Sequence, residues 1–585
     1  MANLNLRSTQ ERTYQAIVVG SGISGAWAAK ELCDLGVKTL MIERGPDVKH
    51  IKDYPTTTML PHEFPHRGQL TEKIKEENPV ISKCYAFRED AMHFFVKDAE
   101  HPYVQEKPFD WIRGYQVGGK SLMWARQVQR WSDFDFEGPA RDGFAVDWPI
   151  RYKDIEKWYS HVEKFAGVSG FKDGIAQLPD GEFLPGYDLN VVEKYFAETM
   201  KKEYGGDRHV ISARCAHIHG SAEAFAAQGR GSCQNRNLCQ RGCPFGGYFS
   251  SNSSTIPWAL KTGNLTIRPD AVVHSVIYDE AKGKATGVRI IDRLTKEVEE
   301  FYADVLFINA AALNTNAILL NSTSSRFPNG LGNDSGVLGK YVAFHNYRAR
   351  VSGEHEGHAE YTTSGGRPTS GYFPRFRNVY KQETDFLRGY AAGFSAGRGV
   401  GPNTDGIGME LKNNLLNPGQ YGPWHVGSHM MGETLPKESN YVALDGSLKD
   451  EWGIPQLKVS MDYDDNDEKM VKDYLEQMTE MFTKAGFTNI QTSDSKQAPG
   501  LDIHEMGGVR MGKDPKTSML NANHQLHAVP NVYVTDGSSM TSTSTQNPSL
   551  TYMAFAARAA HHRCGQDERG GNSGKEAIRA CSEVH

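Results

Sequence analysis

Short apolar runs predict a β-α-β unit near the start of the chain. Residues 16–19 are apolar and mostly β-branched, which is typical of a buried parallel strand, and residues 38–42 predict a second one. Between them Ala26, Ala29 and Leu32 recur at helical spacing. A strand, a helix and a second strand in this order predict the first unit of a doubly wound fold.

Similar elements recur in the middle and near the end of the chain. Residues 305–309 predict a strand that leads into a helix at 314–320, and residues 532–535 predict a strand closed by Asp536 and Gly537. The alanine-rich residues 549–563 predict a further helix. We therefore expect one α/β domain, Rossmann-like, assembled from discontinuous segments.

The segment from about 345 to 495 has a different pattern. Polar and apolar residues alternate there, as in Tyr347, Arg348 and Val351 or in Val442 and Leu444, which favours an antiparallel sheet. The overall prediction is an α/β protein with a second, α+β domain that carries this sheet. A chain of 585 residues also exceeds what a single hydrophobic core usually supports.

Composition and charge limit the classes of binding partner and the compartments that we expect for this protein. The net charge of −6 argues against nucleic acid, because nucleic-acid binders usually carry a basic patch. The sequence contains no run of about 18 apolar residues, so a membrane span is not predicted. The polar residues 1–15 lack the apolar core of a secretory signal, so we expect a soluble protein, cytoplasmic or exported to the periplasm together with a partner. The glycine-rich residues 566–573 are expected to be mobile.

A glycine motif joins the first strand and helix. In Gly20-x-Gly22-x-x-Gly25 the first glycine permits a tight turn, the second admits a pyrophosphate and the third lets helix and strand pack. Glu43 ends the second strand at about the distance expected of the acid that binds ribose hydroxyls. The motif predicts a bound dinucleotide, and by itself does not separate NAD from FAD.

Three further segments resemble the glucose–methanol–choline (GMC) oxidoreductases. The segment Arg113–Trp124 resembles their flavin-contacting stretch, and 504–508 together with 536–551 resembles their C-terminal part. The resemblance covers nearly the whole chain and implies FAD rather than NAD. The ending 534–553 is most similar to pyranose oxidases and bacterial glucoside 3-dehydrogenases. Pyranose oxidases carry a flavin-linking histidine where Met123 stands here, so the resemblance implies non-covalent FAD.

The resemblance assigns residues and segments to the cofactor. The candidate FAD-binding residues are Gly20, Gly22, Gly25, Glu43, Arg44, Gly118, Gly119, Ser121, Met123, Trp124, Val272, Asp536, Gly537, Asn547 and Pro548. It divides the chain into FAD-binding parts 1–165, 256–344 and 498–585, a cysteine-containing connection 166–255 and a substrate-binding domain 345–497.

Alcohol oxidation needs a base for the hydroxyl proton. Histidine suits this role because its pKa lies near working pH. By resemblance His504 is the base, and Asn547, across from it, donates to the substrate oxygen. The alternative for Asn547 is a purely structural role in a turn before proline. His524 and His527 are interpreted as solvated loop residues.

Three of the eight cysteines are crowded together. Cys233, Cys239 and Cys243 follow one another at x5 and x3 spacing, with Cys215 upstream. The pattern resembles the cysteines of some GMC dehydrogenases with a three-iron cluster, although it lacks ferredoxin spacing. Zinc, a disulfide and a loop of free thiols remain alternatives.

These features together predict an FAD-dependent oxidoreductase. The expected reaction moves a hydride from a secondary alcohol of a sugar or glycoside, at C3, to flavin N5 and leaves a 3-keto sugar. Another sugar position or a non-sugar alcohol is the first alternative, and a non-catalytic flavoprotein subunit is the second. The acceptor of the electrons would be a small partner subunit or a cytochrome. Aromatic and polar residues at 424–429 are candidates for the sugar site, and the alternative for the aromatic ones is the hydrophobic core.

Overall fold

The computed structural model describes residues 12–363, 366–399, 406–416, 421–501 and 503–565. The glycine-rich stretch 566–573 and Cys581 lie outside the described residues. The strands are β1 (Thr13–Val19), β2 (Thr39–Ile42), β3 (Val104–Gln105), β4 (Ile211–Ser212), β5 (Leu265–Arg268), β6 (Ala271–Asp279), β7 (Lys284–Asp292), β8 (Val298–Ile308), β9 (His345–Asn346), β10 (Ala349–His355), β11 (Gly371–Phe373), β12 (Tyr390–Gly397), β13 (Trp424–Glu433), β14 (Tyr441–Lys449), β15 (Pro455–Ser460), β16 (Thr488–Asp494) and β17 (Val532–Tyr533). The helices are α1 (Ile23–Asp34), α2 (Pro55–Thr58), α3 (Glu72–Glu77), α4 (Asp133–Phe136), α5 (Gly138–Asp142), α6 (Tyr152–Ala166), α7 (Val191–Tyr204), α8 (Thr255–Lys261), α9 (Ala312–Asn321), α10 (Met409–Leu416), α11 (Asp465–Lys484) and α12 (Ser549–Arg563).

The first sheet confirms the discontinuous α/β domain. Its order is β5-β2-β1-β8-β7-β6, with β17 beside β8, so strands from the beginning, middle and end of the chain share it. β1 pairs in parallel with β2 and β8, with Ala16 opposite both Thr39 and Val305. β1 is buried on both faces, as its continuous apolar run predicts.

Three helices from distant parts of the chain pack together beside this sheet. α1 contacts α12, and α12 contacts α6. Ten of the 12 residues of α1 and ten of the 15 residues of α12 are buried, which explains why both are alanine-rich rather than amphipathic. The side chains of Trp27, Tyr159 and Phe555 belong to the resulting core.

The second sheet is antiparallel along its main path, as the alternating pattern predicts. Its order is β16-β10-β13-β12-β11-β4, with β9 beside β13. One face packs on α7 and α11 through residues such as Val351 and Met430. The neighbouring residues Arg350 and Met431 point the other way and line the large cavity described below. The α+β domain with an antiparallel sheet is thereby confirmed, and β4 joins that sheet from the predicted connection 166–255.

A third sheet of three strands, in the order β14-β15-β3, completes the fold. β3 comes from the N-terminal part and pairs in parallel with β15. Within the described ranges no helix is long and apolar enough to cross a bilayer. The five-segment division of the chain stays a prediction.

Candidate active site

A cavity of about 460 Å³ lies at the carboxyl ends of the parallel strands β1, β2 and β8. The residues that follow each of these strands line it: residues 19–24 after β1, 42–44 after β2 and 309–314 after β8. Nucleotides bind at this edge of open α/β sheets, because loops after adjacent parallel strands meet there. The second sheet covers another part of the cavity with Arg350 and Met431.

The glycine turn after β1 fits a phosphate ligand. Gly20 has a φ of 95°, and a Cβ there would lie 2.3 Å from the carbonyl oxygen of Asn309. A Cβ on Gly22 would meet nothing within 4 Å, and Gly22 lines the cavity, so the backbone is open to a ligand there. α1 begins at Ile23 and directs its free N–H groups toward the same space. These features suit the pyrophosphate of a dinucleotide.

Glu43 and Arg44 line the cavity after β2, as does Val272 on β6. The Glu43 carboxylate accepts hydrogen bonds from the backbone N–H and hydroxyl of Ser21, at 3.1 and 2.5 Å, and from the N–H of Gly45 at 3.1 Å. Burial raises its pKa. Glu43 therefore holds the glycine turn in place as well as facing the ligand space.

The Arg44 guanidinium lies against two aromatic rings. It lies 4.7 Å from the ring centre of Tyr115 and 5.0 Å from that of Trp452. Its Nη2 donates to Asp450 at 3.4 Å, whereas its Nε is buried with no partner among the described residues. A fixed guanidinium with an unused donor is suited to a polar group of a nucleotide.

The segment from 118 to 124 forms another wall. Gly119, Ser121, Met123 and Trp124 line the cavity, while Gly118 packs its backbone against Asn252 behind it. The Ser121 hydroxyl donates to the carbonyl of Gly118 at 2.6 Å and accepts from the N–H of Ser251 at 3.0 Å. These two hydrogen bonds tie the segment to itself and to the neighbouring residue Ser251.

The C-terminal segment closes the cavity. Asp536, Gly537 and Asn547 line it. Asp536 is buried and accepts hydrogen bonds from Ser538 and Thr315, so it stabilises the turn after β17. Pro548 does not belong to the described lining; it occupies the N-cap position of α12, and Ser549 lines the cavity instead.

His504 and Asn547 reach the cavity from two different loops. His504 and the preceding Ile503 both have positive φ angles, 66° and 57°, which bulky residues rarely adopt. Strained backbone of this kind is frequent at functional sites. The side-chain Oδ1 of Asn547 is buried without a hydrogen-bond partner among the described residues. A buried side-chain oxygen without a partner at a cavity is typical of a residue that binds a ligand.

His345, which no sequence motif indicates, contacts His504. The Nδ1 atoms of the two rings lie 2.9 Å apart, and the Nε2 of His345 lies 3.3 and 3.2 Å from the carbonyl oxygens of Thr543 and Ser544. His345 follows the apolar residues 342–344 at the predicted boundary between two segments. A polar residue at that junction was the available signal.

Electrostatics keep both histidines neutral. Burial, the neighbouring His345 and the Lys120 ammonium hold the pKa of His504 well below its usual range. Burial lowers the pKa of His345 to about 4. A neutral imidazole has one nitrogen with a lone pair, so His504 is able to accept a proton at neutral pH.

The cysteine segment forms a separate region. Cys233, Cys239 and Cys243 surround a small void with His217, and the Sγ of Cys239 lies 3.6 Å from His217 Nε2. All seven cysteines in the described part are free thiols. In that same part no group of three or more His, Cys, Asp or Glu side chains is arranged to hold a metal ion.

The predictions of a solvated His524 and of a sugar site at residues 424–429 were wrong. His524 is fully buried and packs on Phe555 at 4.4 Å between ring centres, so it is not a solvated loop residue. Trp424 belongs to the core beneath the second sheet, and residues 424–429 supply none of the described lining. β13 reaches the cavity only at Met431, and His429 lies next to the cavity residue Tyr347 at 4.7 Å between ring centres.

Comparisons with known proteins indicate one family of oxidoreductases. Two family models, each described as GMC oxidoreductase, match residues 14–345 and 436–556. The 2-methyl-1,2-propanediol dehydrogenase of Mycolicibacterium austroafricanum is 28% identical over 585 residues, covering 94% of this chain and 95% of the relative. The fructose dehydrogenase large subunit of Gluconobacter japonicus is 23% identical, covering 94% and 98%.

A solved structure shares the fold. Pyridoxine 4-oxidase from Mesorbium loti superposes with a TM-score of 0.58 at 14% identity, and the match covers 94% of this chain and 99% of that chain. At this identity the likeness concerns the fold alone.

Proposed function

The chain belongs to the GMC oxidoreductase family, and on that premise we propose that it oxidises the C3 hydroxyl of a sugar or glycoside to a ketone. Membership makes the chain an FAD-dependent oxidoreductase of alcohols or sugars. The observation that carries the proposal is the pair His504 and Asn547 at the cavity, with a histidine that is neutral at working pH.

The chain's own residues would handle the hydroxyl proton and the charge on its oxygen. FAD, when bound, supplies the hydride acceptor. His504 takes the hydroxyl proton on Nε2, the nitrogen that His345 leaves unoccupied. Asn547 donates from its side-chain amide to the same oxygen and stabilises the developing negative charge. The glycine turn, Glu43, Arg44 and the 118–124 loop would hold the cofactor.

Two observations support a sugar as the substrate. The lining includes long polar side chains that are not among the candidate FAD-binding residues, namely Gln127, Arg350 and Gln497, and sugars are recognised through such groups. The fructose dehydrogenase large subunit is similar over nearly its whole length. The choice of C3 rests on the resemblance of the C-terminal segment to glucoside 3-dehydrogenases.

Anaerobic mixing with a panel of alcohols tests this proposal. Methyl glucoside should bleach the flavin absorbance, and its 3-deoxy analogue, the matched control, should not. The product should be a 3-keto glycoside. Bleaching by the 3-deoxy analogue at the same rate would move the reaction to another carbon, and a flavin that no alcohol bleaches would favour the non-catalytic subunit.

A non-sugar alcohol is the second candidate, because the 2-methyl-1,2-propanediol dehydrogenase is similar over almost its whole length. The same panel therefore includes short diols, choline and aryl alcohols. Faster bleaching by a short diol than by every glycoside would favour this second function.

We expect the rate of flavin reduction to stay level as pH falls from about 8 to about 6.5, the ordinary histidine pKa. The base acts in its deprotonated form, and burial lowers the pKa of His504 well below the usual value. The rate should therefore decline only in more acidic buffers. Stopped-flow reduction at saturating substrate measures this profile, and a rate already halved at about pH 6.5 contradicts a lowered pKa.

We expect FAD to be bound without a covalent link, because Met123 lines the cavity where a linking histidine would stand. A thioether side chain cannot form the histidyl bond of pyranose oxidases. Acid precipitation should release the yellow chromophore into the supernatant. Colour that stays with the pellet would indicate attachment through a different residue.

The role of Cys233, Cys239 and Cys243 is decided by analysis for iron and acid-labile sulfide. Iron and sulfide in fixed ratio to FAD in anaerobically purified protein would assign the segment to a cluster. FAD without iron would leave the segment as a loop of thiols, which is the state of these cysteines in the structure.

For the electron acceptor we propose a small partner subunit or a cytochrome. The relative from Gluconobacter japonicus is named as a large subunit, which supports a multi-subunit arrangement. Purification of the chain with its native complex would identify such a partner by mass spectrometry.

A further inference from the structure

His345 and His504 form a buried pair whose hydrogen bonds leave one arrangement of protons. His345 is 1% exposed and neutral at working pH. Its Nε2 faces two carbonyl oxygens, of Thr543 and Ser544, at 3.3 and 3.2 Å. Carbonyl oxygens accept and never donate, so Nε2 of His345 carries the proton.

The proton on Nε2 of His345 determines which of the other nitrogens in the two histidines carry protons. Neutral His345 then has a lone pair on Nδ1, which faces the Nδ1 of His504 at 2.9 Å. A hydrogen bond between the two nitrogens requires a proton on one of them, so Nδ1 of His504 is the donor. His504 is itself neutral, and its lone pair is therefore on Nε2.

The carbonyl groups that start this chain are held firmly. Ser544 has a φ of 58°, and its hydroxyl donates to the buried carboxylate of Asp135 at 2.7 Å. The same loop continues to Asn547. Thr543, Ser544 and Asn547 thus lie on one loop, which orients the imidazole of His504 through His345 and also presents the amide to the substrate oxygen.

We propose that His345 is a positioning residue that selects the tautomer of His504 with its lone pair on Nε2. The proposal rests on the proposed role of His504 as the base. During the reaction the hydroxyl O–H bond breaks and its proton goes to Nε2 of His504. The imidazolium so formed keeps its Nδ1 proton directed at the lone pair of His345, which stabilises the positive charge, and His345 keeps its own proton.

Two substitutions of His345 separate this role from simple packing. In His345→Asn the amide oxygen takes the place of Nδ1 and can still accept from His504. In His345→Leu the volume is similar and the acceptor is lost. We expect His345→Leu to lower the rate of flavin reduction by roughly 10–100-fold with little change in KM, and His345→Asn to recover much of that loss.

The matched control is His524→Leu. His524 is another fully buried histidine, with its ring against Phe555, and it lies outside the cavity lining. We expect this variant to reduce its flavin at the wild-type rate. A loss as large as that of His345→Leu would show that burial of a histidine, and not the bond to His504, sets the rate.

The tautomer itself is measured by nitrogen NMR of the FAD-loaded protein labelled with ¹⁵N-histidine. The His504 signals are assigned by their loss in His504→Ala. We expect a protonated Nδ1 and an unprotonated Nε2 in the wild type and in His345→Asn, and a mixture in His345→Leu. This readout does not depend on turnover. It therefore tests the tautomer of His504 separately from the proposal that His504 is the base.

Two results would overturn the proposal. One is a wild-type His504 protonated on Nε2. The other is a His345→Leu protein that keeps its FAD and reduces it at the wild-type rate.

Discussion

Replacing His504 with alanine is expected to slow flavin reduction by roughly 10²–10⁴-fold, or about 3–5 kcal/mol of transition-state stabilisation. The loss follows because the proposed base for the hydroxyl proton is removed. FAD should remain bound, since the glycine turn after β1 and Glu43 after β2 are unchanged. Rapid mixing under anaerobic conditions is the measurement, because steady-state turnover can report reoxidation instead.

Asn547→Ala supplies the comparison for this prediction. Removing one donor to the substrate oxygen should slow reduction by less than the loss of the base. The double variant should be less impaired than the product of the two single losses, because both groups act on one oxygen in one transition state. A His504→Ala protein that reduces its flavin at the wild-type rate would leave the base unidentified.

Gly25→Ala is expected to lower the free energy of unfolding by roughly 1–3 kcal/mol and to reduce the FAD content. A Cβ on Gly25 would lie 2.0 Å from the carbonyl oxygen of Gly20, inside the contact between α1 and the turn after β1. Backbone would have to shift to make room, and the phosphate-binding turn would shift with it. Chemical unfolding of the FAD-free protein and the ratio of flavin to protein measure the two effects.

Gly22→Ala is the matched control, because a Cβ there meets nothing within 4 Å in the protein. We expect the FAD-free Gly22→Ala protein to be as stable as the wild type, whereas its affinity for FAD should fall, since the methyl group occupies space that faces the ligand. Equal losses of stability in the two variants would contradict the separate roles of these glycines.

Local pattern was sufficient for the elements that are buried on all sides. The apolar run of β1 and the alanine-rich sequence of α12 require burial whatever packs around them, and both were predicted close to their observed positions. The discontinuous character of the sheet was predictable because β1, β2, β8 and β17 each carry their own apolar signal, whereas β5, β6 and β7 were not predicted. The cofactor residues came from the glycine spacing and from the family resemblance.

Contacts between residues that are far apart in the chain could not be predicted from the sequence. His345 meets His504 across 159 positions, and no local pattern shows that two rings will share a hydrogen bond. His524 has polar neighbours in sequence, yet the packing of α12 covers it. Trp424 lies on an alternating strand, and alternation separates two faces without saying which of them meets the cavity and which meets α11.

The most direct test of the proposed function is a deuterium isotope effect on flavin reduction. Methyl glucoside with deuterium at C3 is mixed anaerobically with the FAD-loaded protein, next to methyl glucoside with deuterium at C2. We predict that deuterium at C3 slows flavin reduction several-fold and that deuterium at C2 leaves the rate unchanged. Equal rates for the C3-deuterated and unlabelled sugars, with slower reduction of the C2-deuterated one, would contradict oxidation at C3.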